Sequence, residues 1–307
     1  MTRARKAVQA FALFAVLLTG CSGRDGQEAP EGGSATGSDT ASGIVSFAPN
    51  ITETVFALGE GERVIAVTDF CTWPPEARAL PKVGGYINPD LEKIALLNPA
   101  MIIVLGEHDK LTDFSRINNI QLVRVDMATG GINTIEDGIL KIGEALGVGG
   151  RASLLWTEIS SELAAVSAAV EDRVRPTVLL IMGRSEHDLD TLFTTGGASY
   201  ISELVDIAGG DNVFAAETTA YFEASKEPVV MSSPDVIIEF HAGEKMSEAD
   251  EARYKSDWNK MPSLPAVQEG RLHIVTEEFT TIGGPRIGKT ARLLARLLHP
   301  GIELAEP

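Results

Sequence analysis

Two stretches of this 307-residue chain repeat one another: Leu91-Glu92-Lys93-Ile94-Ala95-Leu96-Leu97-Asn98-Pro99-Ala100-Met101-Ile102-Ile103 and Lys226-Glu227-Pro228-Val229-Val230-Met231-Ser232-Ser233-Pro234-Asp235-Val236-Ile237-Ile238. In each, a Glu at a helix start precedes a Pro by seven residues, and a strand with two adjacent Ile follows, at a constant offset of 135. Asp90 and Ser225, of the residue types that cap helix N-termini, stand just ahead of the two helices. Other short apolar, β-branched runs lie at 44–47, 64–67, 122–125, 177–182 and 272–275. Several are continuous rather than alternating, as buried parallel strands are. Strands that alternate with helices predict an α/β fold with mainly parallel sheets. The repeat predicts two Rossmann-like lobes related by a pseudo-twofold axis. Glu92 and Glu227 then hold equivalent places. Dipole stabilisation accounts for each acid singly but not for their equivalence.

Between the two halves, residues 151–171 contain neither Gly nor Pro, and Leu154, Leu155, Ile159, Leu163, Val166 and Val170 recur at helical spacing. We read this as a rigid connecting helix, about 30 Å long. The organisation expected is an N-terminal lobe at 44–148, a connector at 149–173 and a C-terminal lobe at 174–307. A ligand cleft lies between the lobes. Asn50-Ile51-Thr52-Glu53 has capping-box spacing at the start of an earlier helix.

The first 43 residues carry a different message. Arg3, Arg5 and Lys6 precede an apolar run from Val8 to Leu18, which is too short to span a bilayer. The run ends in Leu18-Thr19-Gly20-Cys21, so residues 1–20 read as a signal peptide and Cys21 as a lipidation site. Residues 22–43 are Gly-, Ser-, Thr- and acid-rich and cannot build a core. They read as a flexible tether with an r.m.s. span of roughly 25 Å. The net charge of −17, and −20 once the three basic residues of the signal are removed, argues against nucleic-acid binding. If Cys21 carries lipid, Cys71 has no partner for an intrachain disulfide.

Several catalytic or cofactor motifs fail on inspection. Gly283-Gly284-Pro285-Arg286-Ile287-Gly288-Lys289-Thr290 matches the phosphate-loop pattern. However, Pro285 removes a cradle N–H, and an exported protein meets no nucleotide pool. Its plainer reading is a helix start with Pro285 in the first turn. Gly147-x-Gly149-x-x-Ala152 follows a helix rather than a strand, so it is a helix–helix joint and not a dinucleotide fingerprint. The five His residues are scattered without metal-ligand spacing, and no G-x-S-x-G elbow occurs. The expectation is no catalysis, no cofactor and no resident metal. An exported hydrolase using Cys71 is the alternative from another class.

Aromatic residues are only 6% of the chain, so their placement is informative. They gather in segments expected to follow strands, where open α/β sheets bind ligands. These segments are Thr68-Asp69-Phe70-Cys71-Thr72-Trp73, Gly84-Gly85-Tyr86, Gly183-Arg184-Ser185, Tyr221-Phe222 and Phe279. Exposed rings on two facing lobes suit a large, partly flat, amphipathic ligand.

The chain resembles the class III substrate-binding proteins of ABC importers, the cobalamin and ferric-siderophore type. The resemblance covers about residues 44–300. It is carried by Ser46-Phe47-Ala48-Pro49-Asn50-Ile51-Thr52-Glu53, Val67-Thr68-Asp69-Phe70, Leu80-Pro81-Lys82-Val83-Gly84-Gly85, Asn88-Pro89-Asp90-Leu91-Glu92 and Pro285-Arg286-Ile287. It implies two α/β lobes joined by one helix and ligand capture without catalysis. The nearest likeness is to the cobalamin-binding members. Their aromatic ligand contacts fall on Phe70, Tyr86, Tyr221 and Phe279, and their permease-docking acids on Glu92 and Glu227. Several tryptophans of those members are Tyr or Phe here, and Tyr86 sits near the position where haem-binding relatives place an iron-ligating Tyr. The implied function is that of an exported, lipid-anchored monomer. It captures a metal chelate, a corrinoid first and a ferric siderophore or haem as alternatives, and delivers it to an ABC permease dimer with its ATPase subunits.

Overall fold

The computed structural model describes residues 43–304. Cys21, the segment read as signal and all of the tether but Gly43 lie outside the described residues. In chain order, β1 (Ile44–Ser46), α1 (Pro49–Ala57), β2 (Val64–Val67), α2 (Pro75–Arg78), α3 (Leu91–Leu97), β3 (Met101–Leu105), α4 (Asp109–Ile117), β4 (Gln121–Val125) and α5 (Ile132–Ala145) come first. The 22-residue α6 (Gly149–Val170) follows. Then come β5 (Thr177–Arg184), β6 (Leu192–Thr195), α7 (Tyr200–Ile207), β7 (Asp211–Asn212), β8 (Tyr221–Ala224), α8 (Lys226–Ser232), β9 (Val236–Phe240), α9 (Glu248–Asp257), α10 (Pro265–Gln268), β10 (Leu272–Val275) and α11 (Ile287–Leu298).

The first sheet is wholly parallel, in the order β2-β1-β3-β4. The second runs β10-β9-β5-β6-β8, with β7 beside β5. Its β10, β9, β5 and β7 are parallel, but β6 is antiparallel to both β5 and β8. The α/β fold with two lobes is therefore as expected, while the second sheet is mixed. The local reason is that β5 extends through Gly183 and Arg184, which pair with Phe193 and Leu192 of β6. Tyr221 and Phe222 then pair with Thr195 and Thr194. The sequence reading placed Gly183, Arg184, Tyr221 and Phe222 in loops; all four are strand residues.

Both faces of each sheet are covered, which explains the continuous apolar runs. In β3, Met101 and Ile103 join one core cluster while Ile102 and Val104 join another. In β9, Val236, Ile238 and Phe240 face the first cluster and Ile237 a third. The first cluster is shared: it runs from Ile44 to Leu298 and includes Ala152, Ile159, Leu163, Val166 and Val170 of α6. These five positions, spaced seven, four, three and four apart, form one buried stripe. Arg292 of α11 donates to Glu162 of α6 at 2.8 Å. Gly147, at φ +77°, makes the left-handed turn between α5 and α6, as the helix–helix joint requires.

Asp90 caps α3, its carboxylate accepting from the Lys93 N–H at 3.0 Å. The capping box expected at Asn50 does not form. Ala48 is the N-cap of α1, and Pro49 opens the helix. Asn50 and Glu53 turn instead toward the 283–286 segment. Pro285 likewise lies outside α11, which begins after Arg286.

Candidate functional site

A cavity of about 290 Å³ lies between the two sheets at their carboxyl ends. Pro49, Asn50, Leu105 and Met127 line it from one side, and Tyr200, Tyr221, Ile282 and Gly283 from the other. Each wall follows from local structure. Leu105 ends β3, Pro49 opens α1, Tyr200 opens α7 and Tyr221 opens β8. At Gly283 a Cβ would sit 2.5 Å from the Met127 carbonyl oxygen, so only glycine permits this approach of the two sides.

The base of the cleft is tied across by paired polar groups. The Asn50 amide donates to the Gly283 carbonyl at 3.2 Å, and the Tyr200 N–H to the Gly130 carbonyl at 2.9 Å. The Ile132 N–H donates to the Glu203 carboxylate at 2.7 Å, and the Thr72 hydroxyl to Glu278 at 2.9 Å. The Arg286 guanidinium grips Glu53 with two nitrogens, Nε to Oε2 at 2.8 Å. Glu53 is only 2% exposed. Burial pushes its carboxyl above the usual range, and Arg286 offsets part of that rise. Arg286 also stacks over Trp73 at 5.0 Å and over Phe279 at 5.6 Å.

Of the four residues expected to contact ligand, Tyr221 lines the cavity; Phe70, Tyr86 and Phe279 stand outside its lining. Phe70 is 67% exposed and its ring lies beside Gly85. The Tyr86 hydroxyl donates to the carbonyls of Leu105 and Glu107 at 3.0 and 3.1 Å. Its ring meets His108 edge-on at 4.9 Å. Phe279 sits in a turn of 3₁₀ helix before Ile282. Two further aromatics belong to this region that sequence reasoning missed. Tyr200 is buried in the cavity wall, and Phe193 stacks on Tyr221 at 6.0 Å with 21° between the rings. The scarcity of aromatics was the signal that pointed to Tyr221. Phe193 escaped because its strand has no apolar run.

Burial pushes the Tyr221 phenol up to about 12, and burial raises Tyr200 as well. Both therefore present neutral hydroxyls at physiological pH. Of the arginines near the cleft, Arg286 is bound to Glu53, and Arg124 pairs with Glu107 at 3.0 Å. The walls thus offer rings, hydroxyls and peptide groups, and the cavity lining holds no charged side chain among the described residues.

Glu92 and Glu227 occupy the first turns of α3 and α8 and are exposed, away from this cavity. A larger hollow of about 680 Å³ opens beside Glu227, between α8 and residues 260–263. It has no ring in its lining except His187.

Cys71 is fully buried, and its sulfur meets the hydroxyls of Thr52 and Thr68, both at 3.1 Å. A nucleophile needs an adjacent base, and these hydroxyls are not one. The hydrolase reading falls on that geometry. In the phosphate-loop look-alike, Gly288 lies inside α11 and packs against Glu162, so a carboxylate fills the space a phosphate would need. Among the described residues no cluster of His, Cys, Asp and Glu is arranged to hold a metal ion. No helix among them is long and apolar enough to cross a membrane.

A vitamin B12-binding protein of Pectobacterium atrosepticum is 24% identical over 244 residues, covering 80% of this chain and 84% of that one. An uncharacterised ABC transporter substrate-binding lipoprotein, YvrC of Bacillus subtilis, is 25% identical over 261 residues, covering 84% and 80%. Among solved structures, the apo periplasmic haem-binding protein RhuT of Roseiflexus sp. RS-1 superposes with a TM-score of 0.70 at 25% identity, covering 86% of this chain and 100% of that one. A sequence profile described as periplasmic binding protein matches residues 44–278. With two α/β lobes joined by one helix and a cleft between them, the chain belongs to the periplasmic binding protein family, whose members bind solutes without catalysis and deliver them to ABC permeases.

Proposed function

We propose that this protein captures a corrinoid in the cleft and passes it to an ABC import permease. Residues 44–148 and 174–307 form the two lobes, and 149–173 connect them. The observation that carries this reading is the character of the walls. Tyr221, with Phe193 stacked behind it, and Tyr200 supply faces and neutral hydroxyls. Arg286 and Arg124 are already bound to carboxylates. A ligand rich in amides and without net negative charge suits such a site; haem carboxylates or an anionic siderophore would ask for unpaired cations. The Tyr86 hydroxyl is engaged with two carbonyls, which makes it a poor iron ligand as placed. The vitamin B12-binding relatives support the same choice. Phe70, Tyr86 and Phe279 complete the grip around the larger ring system. Glu92 and Glu227 serve as docking charges for arginines of a two-fold permease.

Titration with cyanocobalamin, haemin and a ferric siderophore tests this. Saturable binding of cyanocobalamin with little or none of the other two is expected. Preference for haemin would transfer the cleft to the haem class. An aromatic contact with a flat ligand contributes about 0.5–1.5 kcal/mol beyond area burial. Tyr221→Ala and Tyr86→Ala should therefore each weaken binding roughly tenfold. Unchanged affinity in both, and in Phe70→Ala and Phe279→Ala, would remove this site.

We further propose that Cys21 carries lipid and that the protein works at the outer side of a bacterial membrane. The lipoprotein relative supports this. Cys21→Ser should yield a soluble protein with unaltered ligand affinity, because residues 22–43 carry no core-forming side chain. Continued membrane attachment of Cys21→Ser after fractionation would assign the anchor elsewhere.

A further inference from the structure

The two sides of the cleft cavity differ in what their side chains offer. On the side of Pro49, Leu105 and Met127 the side chains are apolar but for Asn50, which is engaged at both ends. Its amide nitrogen donates to the Gly283 carbonyl at 3.2 Å, and its oxygen accepts from the Ile51 N–H at 3.0 Å. The opposite side carries the hydroxyls of Tyr200, Tyr221 and Thr281. None of these has a hydrogen-bond partner among the described residues.

Tyr200 is the deepest of them. The residue is 3% exposed, and that remnant includes its phenol oxygen, which opens on the cavity. A polar group set so deep is normally bonded, because burying it without a partner costs free energy. Its placement is fixed from behind. The Tyr200 N–H, one of the orphan donors at the start of α7, bonds the Gly130 carbonyl at 2.9 Å. The ring lies on Gly283, where a Cβ would come within 3.3 Å of Cε1. Packing therefore aims the phenol, with no bond of its own. Burial, and the Tyr221 phenol beside it, keep Tyr200 protonated, so it is available as a donor.

A carboxylate or ammonium entering this uncharged lining would lose its hydration without a counter-charge. A carbonyl oxygen loses less and gains a waiting donor. The volume of about 290 Å³ admits a side arm of a large ligand and not its whole ring system. We infer that the floor of the cleft is a hydrogen-bonding subsite, in which the Tyr200 hydroxyl donates to the carbonyl oxygen of an uncharged amide arm of the ligand. The hydroxyls of Tyr221 and Thr281 flank that oxygen, and Leu105 and Met127 face the methylenes of the arm. This rests on the reading of the cleft as a corrinoid site and adds to it the part of the ligand that is read and the residue that reads it. A site built to bond a polar group discriminates against analogues that cannot make the bond.

Titration calorimetry of the full-length protein tests this with cyanocobalamin and with cobinamide, which keeps the amide arms of the ring and lacks the phosphate and base of the nucleotide. Tyr200→Phe should weaken both about tenfold, the loss expected when a buried acceptor is left without its donor. The melting temperature of the ligand-free variant should not fall, because the hydroxyl holds nothing within the protein. Tyr221→Phe keeps the ring and its stack on Phe193 and should cost less, since Tyr221 is only half-buried and water can serve an acceptor there. Cyanocobalamin affinity within about twofold of wild type in Tyr200→Phe overturns the subsite and leaves the corrinoid reading standing. A melting temperature lowered by several degrees makes the hydroxyl a structural group and overturns the subsite too. A loss confined to cyanocobalamin places the acceptor on the nucleotide and overturns the amide assignment. If the wild-type chain binds neither corrinoid, the corrinoid reading falls, and the same variant is titrated with haemin and with a neutral, amide-bearing ferric trihydroxamate. A loss of about tenfold with the trihydroxamate then keeps the subsite; binding of haemin, whose arms are carboxylates, overturns it.

Discussion

Arg286→Leu should cost about 3–5 kcal/mol of stability near pH 8, the usual penalty for removing one partner of a buried ion pair. The substitution strands Glu53, which is 2% exposed and has Arg286 as its bidentate partner. Cation–π contacts with Trp73 and Phe279 go with it. The pH dependence identifies the cause. Burial raises the Glu53 pKa in the folded protein, and losing Arg286 raises it further. The folded state then binds more protons than the unfolded state between the two pKa values, so stability falls as pH rises through that window. The deficit of Arg286→Leu should accordingly shrink as pH is lowered toward 4.5, the ordinary value for this carboxyl. Glu53→Gln in the Arg286→Leu background should recover much of the loss at pH 8. Urea unfolding at pH 5 and pH 8 reads all three chains. A deficit under about 1 kcal/mol would show that the pair contributes little, and a larger one equal at both pH values would trace the loss to the cation–π contacts and not to the stranded carboxyl. Ligand affinity should fall as well, because Phe279 loses the guanidinium on which it rests.

A comparable loss is expected from Arg184→Met. The Arg184 side chain is fully buried, donating from Nε to both oxygens of Glu239 at 3.1 and 3.2 Å and from Nη1 to Asp257 at 2.9 Å. It also donates to the Tyr254 carbonyl and lies over the Tyr254 ring. Trp258 Nε1 is a further donor to Glu239. Glu239 would keep His241 and the Trp258 indole as hydrogen-bond partners, and Asp257 would keep His187. Breaking such a network costs about 3–5 kcal/mol, which lowers Tm by on the order of 10 °C for a chain of this size. His241 gives the sign of the pH effect. Its hydrogen bond to Glu239 raises its pKa, with burial opposing and the Glu239 charge assisting. A histidine raised in the folded state contributes stability that is complete below about 6.5 and is lost as pH rises through the raised value. The Arg184→Met deficit should therefore be larger at pH 8.5 than at pH 6, and His241→Asn should remove the difference. Thermal melts across that range decide it; a pH-independent deficit would exclude His241 from the compensation.

The two kinds of evidence in the sequence were unequally legible. The repeat around Glu92 and Glu227 revealed the paired lobes because a helix, a proline and a buried strand leave a local pattern. Strands β6 and β8 left none. Leu192–Thr195 and Tyr221–Ala224 are short and partly polar, and they are antiparallel in a sheet that is otherwise parallel. At the site, Tyr221 was visible because aromatics are scarce. The bond between Glu53 and Arg286 was not, because 233 residues separate them and each reads locally as a helix-start residue. Arg184 looked like a loop cation until β9 and α9 brought Glu239 and Asp257 to it. Polar partners chosen by tertiary folding carry no spacing rule, unlike caps and amphipathic stripes.

The shared core has a bearing on cooperativity. Besides a smaller apolar cluster private to each lobe, one cluster runs from Ile44 through α6 to Leu298 and belongs to both. Cutting the chain before Gly149 would expose the stripe of α6 and the facing residues of α1, α5, α7 and α11 together. The two lobes therefore unfold as one unit, and the most protected backbone amides should be found on both sides of α6 alike. The same packing at α6 should limit how far the mouth of the cleft can open, so that capture and release call for small adjustments of the walls and not for wide gaping of two free halves.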